Sequence, residues 1–378
     1  LAAQSDTQRL TLAVGDTGNK LLLNVLPLGR GRTVSIDGAR EVELTGGISH
    51  TVKSTDRVGT NITGDVLNDI LWGGRASDYL NGGSGNDTIL ATGGDDTIDG
   101  GAGADIMNGG PGSNTYIIDN LGDRVAESRR WDGVDHVISS VDFLMGRDHI
   151  ENLTLTGTGN TRGIGNGLEN VIIGNDGDNI IDGGPRADRL VGGLGDDTYF
   201  VRAVGDTIIE LAGEGTDTVK ALFSFALPDQ VENLHLLTSV GINGFGNDMN
   251  NVIIGNNFNN LIDGMGGNDT LSGQGGADTF RFLTAPGPGN VDRITDFTPG
   301  EDRIMLLGSN LGGLPRGALS ADAFVLGTAA QDAEDVILYD RGTGRLWVDV
   351  DGTGDAAPVL FAVLEGRPDL GADDFILA

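Results

Sequence analysis

The sequence contains no cysteine. Disulfide staples are excluded, so in a secreted chain of this size metal has to supply the cross-linking. No run approaches the roughly 18 apolar residues of a membrane-spanning helix. Basic residues are scarce: 24 Lys and Arg stand against 55 Asp and Glu, a formal net charge of −31. A chain so acidic is a poor partner for nucleic acid. Aromatic residues make up only 5%. An Asp-rich groove that cleaves or epimerises acidic polysaccharides needs basic and aromatic groups around its carboxylates, and here the arginines are scattered. The four histidines, His50, His136, His149 and His235, form no H-E-x-x-H, and no G-x-S-x-G occurs. Zinc peptidase and serine hydrolase chemistry therefore have no residues to run on, and no catalytic residue is assigned. No N-terminal signal peptide is recognisable and the first residue is Leu1, which points to a processed or truncated N-terminus.

Glycine is abundant: 64 residues, where average usage gives roughly 26. There is no collagen-like triplet, so these glycines serve turns. Residues 64–117 divide into six nonapeptides with none left over: GDVLNDILW, GGRASDYLN, GGSGNDTIL, ATGGDDTID, GGAGADIMN and GGPGSNTYI. Position 6 reads Asp69, Asp78, Asp87, Asp96, Asp105, Asn114. Position 8 is always apolar: Leu71, Leu80, Ile89, Ile98, Met107, Tyr116. A Gly-rich linker would not hold an apolar residue in register.

A period of nine suits neither a helix nor a flat strand. Its glycine half turns, and its second half is a short strand with one inward side chain. Two units then make one coil of a parallel solenoid, and position 6 stacks on position 6 two units later. Asp69, Asp87 and Asp105 form one edge, and Asp78, Asp96 and Asn114 the other. Coils rise by about 4.8 Å, the strand spacing. Carboxylates at that spacing repel unless cations lie between them, and a donor set of Asp carboxylates and turn carbonyls suits calcium.

The nonapeptides return at 165–200 and at 246–281. There position 6 reads Asn170, Asn179, Asp188, Asp197, and then Asn251, Asn260, Asp269, Asp278. Asn offers a neutral oxygen, so these stacks carry less charge and are expected to bind more weakly. Between the blocks a cassette of about 82 residues is duplicated: TYFVRAVGDTIIE (198–210) repeats TYIIDNLGDRVAE, and VENLHLLTS (231–239) answers IENLTLTGT (150–158). These β-rich stretches, 118–164 and 201–245, read as wider coils of the same solenoid. Residues 1–63 predict short strands at Leu10–Val14, Lys20–Leu26, Thr33–Ile36 and Glu41–Leu44, as leading coils or a small β cap. Residues 282–378 predict a C-terminal capping module, with AEDVILYDRGTGRLWVDVDGTG (333–354) as a hairpin turning at RGTG. The expected fold is all-β: a parallel β-roll or β-solenoid with interleaved wider coils and a C-terminal β cap.

The repeat resembles the G-G-x-G-x-D-x-U-x nonapeptide of the RTX family. VDRITDFTPGEDRIMLL (291–307) resembles the module after the final repeats of serralysin-like metallopeptidases, and the ending ADDFILA resembles an uncleaved type I secretion signal. The resemblance covers roughly 64–378. It implies calcium as cofactor, held by carbonyls of positions 2 and 4 with the position 6 side chain of one coil, and by carbonyls of positions 1 and 3 with position 6 of the next. Carried onto this chain, one site takes Gly83, Gly85, Asp87, Gly100, Ala102 and Asp105. Others take Gly74, Ala76, Asp78, Ala91, Gly93 and Asp96; Asp65, Leu67, Asp69, Gly82, Ser84 and Asp87; and Thr92, Gly94, Asp96, Gly109, Pro111 and Asn114. The later blocks give Asn175, Gly177, Asn179, Gly192, Leu194 and Asp197, and Asn256, Phe258, Asn260, Gly273, Gly275 and Asp278. Where a turn needs φ > 0 the pattern calls for glycine, and the first two units, GDVLNDILW and GGRASDYLN, depart from it.

The functional expectation is a secreted, non-catalytic calcium-binding module that folds outside the cell and serves as a scaffold, adhesin or surface-assembly protein. Its partners are the type I secretion machinery in transit, then further copies of itself or cell-surface glycans. The alternative is the C-terminal secretion and folding part of a larger hydrolase or polysaccharide-modifying enzyme. The duplicated cassette favours the first.

Overall fold

A tripeptide such as Thr-Ile-Leu is too short to hold strand geometry by itself. It does so when similar tripeptides stack above and below it, each coil supplying the hydrogen bonds that the next one lacks. The computed structural model describes residues 10–13, 20–24, 33–37, 41–45, 49–54, 58–127, 133–311 and 313–378. Strands Ile70–Trp72, Thr88–Leu90 and Ile106–Asn108 pair in parallel with Leu71, Ile89 and Met107 in register. Strands Tyr79–Asn81, Thr97–Asp99 and Thr115–Ile118 do the same with Leu80, Ile98 and Tyr116. All six position 8 side chains are fully buried, so two stacked rows of apolar residues form the core. The fold is an all-β parallel solenoid; among the described residues the only helical pieces are three short 3₁₀ turns, the longest Gly308–Leu311.

The chain packs as two units, one running to Leu194 with Gly205–Thr207, the other holding Gly195–Val204 and Ile208–Ala378. In the first, the early strands Leu10–Ala13, Thr33–Asp37 and Thr51–Ser54 lead in parallel into Ile70–Trp72. Lys20–Asn24, Glu41–Thr45 and Asn61–Thr63 lead likewise into Tyr79–Asn81. The described strands before the nonapeptides thus continue the two rows. The second row then runs on through His136–Ser139, Asn152–Leu155, Val171–Ile173 and Arg189–Val191.

The cassette departs from the expected wider coils in one respect. From Asn114 to Asp135 the step is 21 residues, but from Asp135 to Glu151 it is 16. The second copy shows steps of 20 and 15, from Asp197 to Asp217 and on to Glu232. A long coil is followed by a short one, and the ladder keeps its register.

The second unit stacks Thr198–Val201, Thr218–Ala221, Asn233–Leu236, Val252–Ile254, Thr270–Ser272 and Asp292–Ile294 in parallel. The end of the chain closes both of its rows. Val359–Leu364 adds in parallel to Asp292–Ile294, then pairs antiparallel with Arg345–Val348, which pairs with Ile337–Asp340. The expected hairpin turn at Arg341–Gly344 lies between the last two, with Asp340 opposite Arg345. Phe375–Leu377 pairs in parallel with Arg303–Leu306, and both Phe375 and Leu377 are buried. The apolar end of ADDFILA is therefore an inner part of the folded cap. Among the described residues no helix is long and apolar enough to cross a membrane.

Candidate metal centres

The position 6 residues form hydrogen-bonded ladders up the solenoid. The backbone N–H of Asp69 donates to Asp87 Oδ1, and that of Asp87 to Asp105 Oδ1, both at 2.6 Å. On the other edge Asp78 N donates to Asp96 Oδ1 at 2.8 Å and Asp96 N to Asn114 Oδ1 at 3.1 Å. The later blocks repeat this from Asn170 to Asp188, Asn251 to Asp269 and Asn260 to Asp278, at 2.7, 2.7 and 2.8 Å. One carboxylate oxygen is thus spent on holding the register. The other is left for something else, and there the turns divide into two kinds.

In the first kind the position 2 residue has φ > 0. Gly83 (93°), Thr92 (81°), Gly101 (76°), Gly184 (92°), Met265 (70°) and Gln274 (72°) are such cases. The left-handed backbone turns the position 2 N–H outward. Gly83, Gly101, Gly184 and Met265 donate to Asn81, Asp99, Asp182 and Asp263, the residues two before them. Asp87, Asp96, Asp105, Asp188 and Asp269 then each keep a buried Oδ2 with no hydrogen-bond partner. A buried, unpaired anionic oxygen is strongly disfavoured, so the proton is retained or a cation is required. Burial pushes Asp87, Asp96 and Asp188 up to about 7, and Asp105 to about 6. Asp269 is raised as well, by burial and by the facing Asp292 carboxylate.

In the second kind φ at position 2 stays outside the left-handed region. The position 2 N–H then closes onto the position 6 side chain. Asp65 N reaches Asp69 Oδ2 at 3.0 Å and Gly74 N reaches Asp78 Oδ2 at 2.5 Å. Asn166, Asn175, Asn247 and Asn256 donate to the Oδ1 of Asn170, Asn179, Asn251 and Asn260 at 2.7–2.9 Å. The Asn amides also donate where a cation would otherwise be needed. Asn170 Nδ2 reaches the carbonyls of Ile150 and Glu151, Asn251 Nδ2 those of Val231 and Glu232, and Asn260 Nδ2 that of Ile242. Asn179 Nδ2 meets Thr161 Oγ1 and Asn175 Oδ1.

The expected carbonyl ligands lie in the turns beside these side chains. Ser84 and Ala102 form a parallel bridge in which Ala102 N donates to Gly83 O and Gly85 N to Ala102 O, each at 2.8 Å. Ser84 N donates to Asp65 O at 2.8 Å and Gly94 N to Pro111 O at 3.0 Å, while Thr92 Oγ1 donates to Gly74 O. A Cβ built on Gly94 would stand 2.5 Å from the carbonyl carbon of Ala76, and one on Gly276 2.7 Å from that of Phe258. Each carbonyl keeps a second lone pair. Gly100 marks why position 1 is glycine: a Cβ there would come 2.5 Å from Asp105 Oδ2. Leu67, Gly82, Ala91, Gly93 and Gly109 occupy turn positions of the first block, and Gly273 and Gly275 those of the third. Asn175, Gly177, Asn179, Gly192 and Leu194 belong to the first unit, and Asp197 to the second. The donor set is buried, oxygen-only and short of positive charge, which fits calcium.

Ladder residues outside the nonapeptide frame escaped the sequence reading. Asp105 N donates to Asp123 Oδ1, Asp188 N to Asp206 Oδ1, Asp269 N to Asp292 Oδ1 and Asp278 N to Asp302 Oδ1, at 2.9–3.1 Å. Asn114 and Asp135, and Asp197 and Asp217, extend the rows at 2.8 Å. All share a local mark, an acidic residue two before a buried Val or Ile, as in Asp123-Arg-Val125 and Asp292-Arg-Ile294. Among the described residues the first ladder begins at His50, whose N–H donates to Asp69 Oδ1 at 2.6 Å and whose buried ring lies 3.4 Å from the same oxygen.

The family model of the RTX calcium-binding nonapeptide repeat matches four stretches, 61–89, 82–116, 164–208 and 245–280. Two curated relatives, both from Rhizobium meliloti (strain 1021), are similar over 64 residues: the endo-1,3-1,4-beta-glycanases ExsH, at 41% identity, and EglC, at 36%. Each match spans 17% of this chain and 14% of the glycanase. A solved structure, extracellular lipase LipA from Serratia marcescens, aligns with 88% of this chain and 45% of the lipase at 15% identity, with a TM-score of 0.17, too low to carry an argument. The repeats that the family model matches are those whose tripeptides stack into the parallel solenoid, so the chain carries RTX calcium-binding nonapeptide repeats in these stretches.

Proposed function

We propose that this chain is a secreted, non-catalytic module whose solenoid closes on calcium outside the cell and then serves as an extracellular scaffold, adhesin or surface-assembly element. The observation that carries the reading is the row of buried Oδ2 atoms of Asp87, Asp96 and Asp105, which meet no hydrogen-bond partner among the described residues. Asp87 and Asp105 lie on one edge and Asp96 on the other, and a Cβ built on Gly82 would run into both Asp87 Oδ2 and the Gly100 carbonyl oxygen of the next coil. The ions are held by the turns with left-handed position 2 residues, and the Asn turns are closed by their own amides. Calcium supplies positive charge between the coils. The chain supplies the hard oxygens, the register and the exclusion of water. In a low-calcium cytoplasm the −31 charge and the uncompensated rows oppose coil closure, which keeps the chain unfolded for a type I exporter. Metal analysis of the purified chain tests this. Several calcium ions per chain are expected, with fewer after joint replacement of Asp87, Asp96 and Asp105 by Asn. A folded chain that retains none would contradict it.

A second reading has one observation in its favour, the 64-residue similarity to two glycanases. On this reading the chain is the secretion and folding part of a larger enzyme acting on a β-glycan. The purified chain is expected to leave a mixed-linkage β-glucan intact, and release of reducing ends by this chain alone would contradict the non-catalytic assignment.

A further inference from the structure

The duplicated cassette places the same framework twice, and the two copies differ at one position that decides what the framework can hold. In each copy a buried tyrosine donates its hydroxyl to a glutamate eleven residues on: Tyr116 to Glu127 Oε1, and Tyr199 to Glu210 Oε1. In each, the position 6 N–H donates to the next aspartate of the row at 2.8 Å, Asn114 to Asp135 and Asp197 to Asp217. In the first copy position 6 is Asn114, and its Nδ2 donates to the carbonyls of Gly110 and Gly112 at 3.1 and 3.3 Å. In the second copy it is Asp197, which has no proton to give at neutral pH when ionised. There Asp197, Glu210 and Asp217 each offer a carboxylate oxygen, all within 4.8 Å of one another and all on buried residues. Tyr199 fixes one oxygen of Glu210. The other, Oε2, is buried on a residue 8% exposed and has no hydrogen-bond partner.

We infer that Asp197, Glu210 and Asp217 bind one further hard divalent cation of the calcium class, with Glu210 contributing a ligand from outside the nonapeptide frame, and that Asn114 keeps the first copy metal-free by putting an amide where the cation would sit. Three ionised carboxylates this close cannot share a buried space without a counter-charge. Burial pushes Glu210 up to about 8 and Asp217 to about 6, so with no cation the cluster holds protons instead. An oxygen-only set with this charge suits calcium rather than a softer metal. The inference rests on the calcium reading for the identity of the ion, and on the cluster alone for its place.

The test is a count of calcium ions per chain by native mass spectrometry, on the full chain and two variants, with terbium luminescence excited through tyrosine as a second readout. Glu210→Gln is expected to lose one ion, and Asn114→Asp to gain one. Terbium emission should fall in the first and rise in the second, since Tyr199 and Tyr116 stand beside the two clusters. An unchanged count in Glu210→Gln with the parent loaded overturns the site, and an unchanged count in Asn114→Asp overturns the role given to Asn114. If Glu210→Gln fails to fold, the gain in Asn114→Asp carries the decision. A parent chain that takes up no calcium at all contradicts the calcium reading itself, which separates the two failures.

Discussion

The backbone N–H of Asp69 donates to Oδ1 of Asp87, one coil further on, at 2.6 Å. The same carboxylate keeps its Oδ2 buried and without a partner. A single side chain therefore sets the register with one oxygen and creates the demand for a cation with the other. The demand is local to the turn, because a left-handed position 2 residue has swung its N–H away.

Removing that charge should weaken calcium binding unevenly along the chain. Asp87 is a candidate ligand of two stacked sites in an all-Asp edge, while Asp278 follows Asn260, whose amide already donates to Ile242 O and Asn256 Oδ1. Asp87→Asn should raise the calcium midpoint of folding by about tenfold, equivalent to ~1.4 kcal/mol, and Asp278→Asn by less. A calcium titration followed by circular dichroism reads both, and equal shifts or the reverse order would contradict the greater demand for a cation on the all-Asp edge.

Acid should stand in for calcium in part. The folded, metal-free values of Asp87, Asp96 and Asp188, about 7, lie above those of an unfolded carboxylate, near 4. The folded chain thus binds more protons between those values, and its stability is greatest at low pH and lost as pH rises through about 7. In metal-free buffer the chain should show more β structure at pH 5 than at pH 8. With calcium present, protons compete for the same oxygens, so the calcium midpoint should rise as pH falls. Less β structure at pH 5 than at pH 8 without metal would contradict this account of the carboxylate rows.

Backbone strain gives a prediction of opposite sign at two equivalent positions. Gln274 holds φ at 72° on an exposed side chain, and its N–H donates to Asp296 whatever the side chain is. Gln274→Gly relieves about 1–2 kcal/mol of left-handed strain against about 0.5–1 of added chain entropy, so a net gain of about 0.5–1 kcal/mol is expected. Gly83 holds φ at 93°, and a Cβ there would run into the Asp65 carbonyl oxygen. Gly83→Ala should cost more than ~2 kcal/mol. Melting in saturating calcium distinguishes them, and a stabilising Gly83→Ala would be incompatible with the turn geometry.

Much of this was legible in the sequence, for a physical reason. Position 8 must be apolar because it is the inward residue of each repeat strand, and position 6 must be polar because it stacks against its own image. Both constraints recur every nine residues, so Leu71, Ile89, Asp87 and Asp105 could be read in register. The choice between open and closed turns could not. It depends on φ at position 2, and Thr92, Met265 and Gln274 adopt there a conformation their residue types rarely take. Asn170 and Asp188 are both good acceptors, so the sequence does not say that the Asn170 amide also reaches two carbonyls. Asp135 and Asp217 were hidden because coils of 21 and 20 residues break the period that made the others visible.

The C-terminal segment should act as the template on which coils close. Strands Val359–Leu364 and Phe375–Leu377 cover Asp292–Ile294 and Arg303–Leu306, which in turn cover the last repeat strands. Deleting 282–378 leaves both strand rows with open edges. The remaining fragment should fold at a higher calcium concentration and less steeply than the whole chain, as in other stacked repeats that propagate from an end. Unchanged midpoint and steepness would mean that folding does not begin there.

The central claim is that calcium, and no cross-link within the chain, closes the carboxylate rows. Far-UV circular dichroism at pH 7.5 tests it most directly, with chelator and then with calcium raised to about 10⁻³ M, the range of extracellular modules. The account predicts a coil spectrum with chelator and a cooperative rise to β structure with calcium, while a fully β spectrum that chelator leaves unchanged would contradict it.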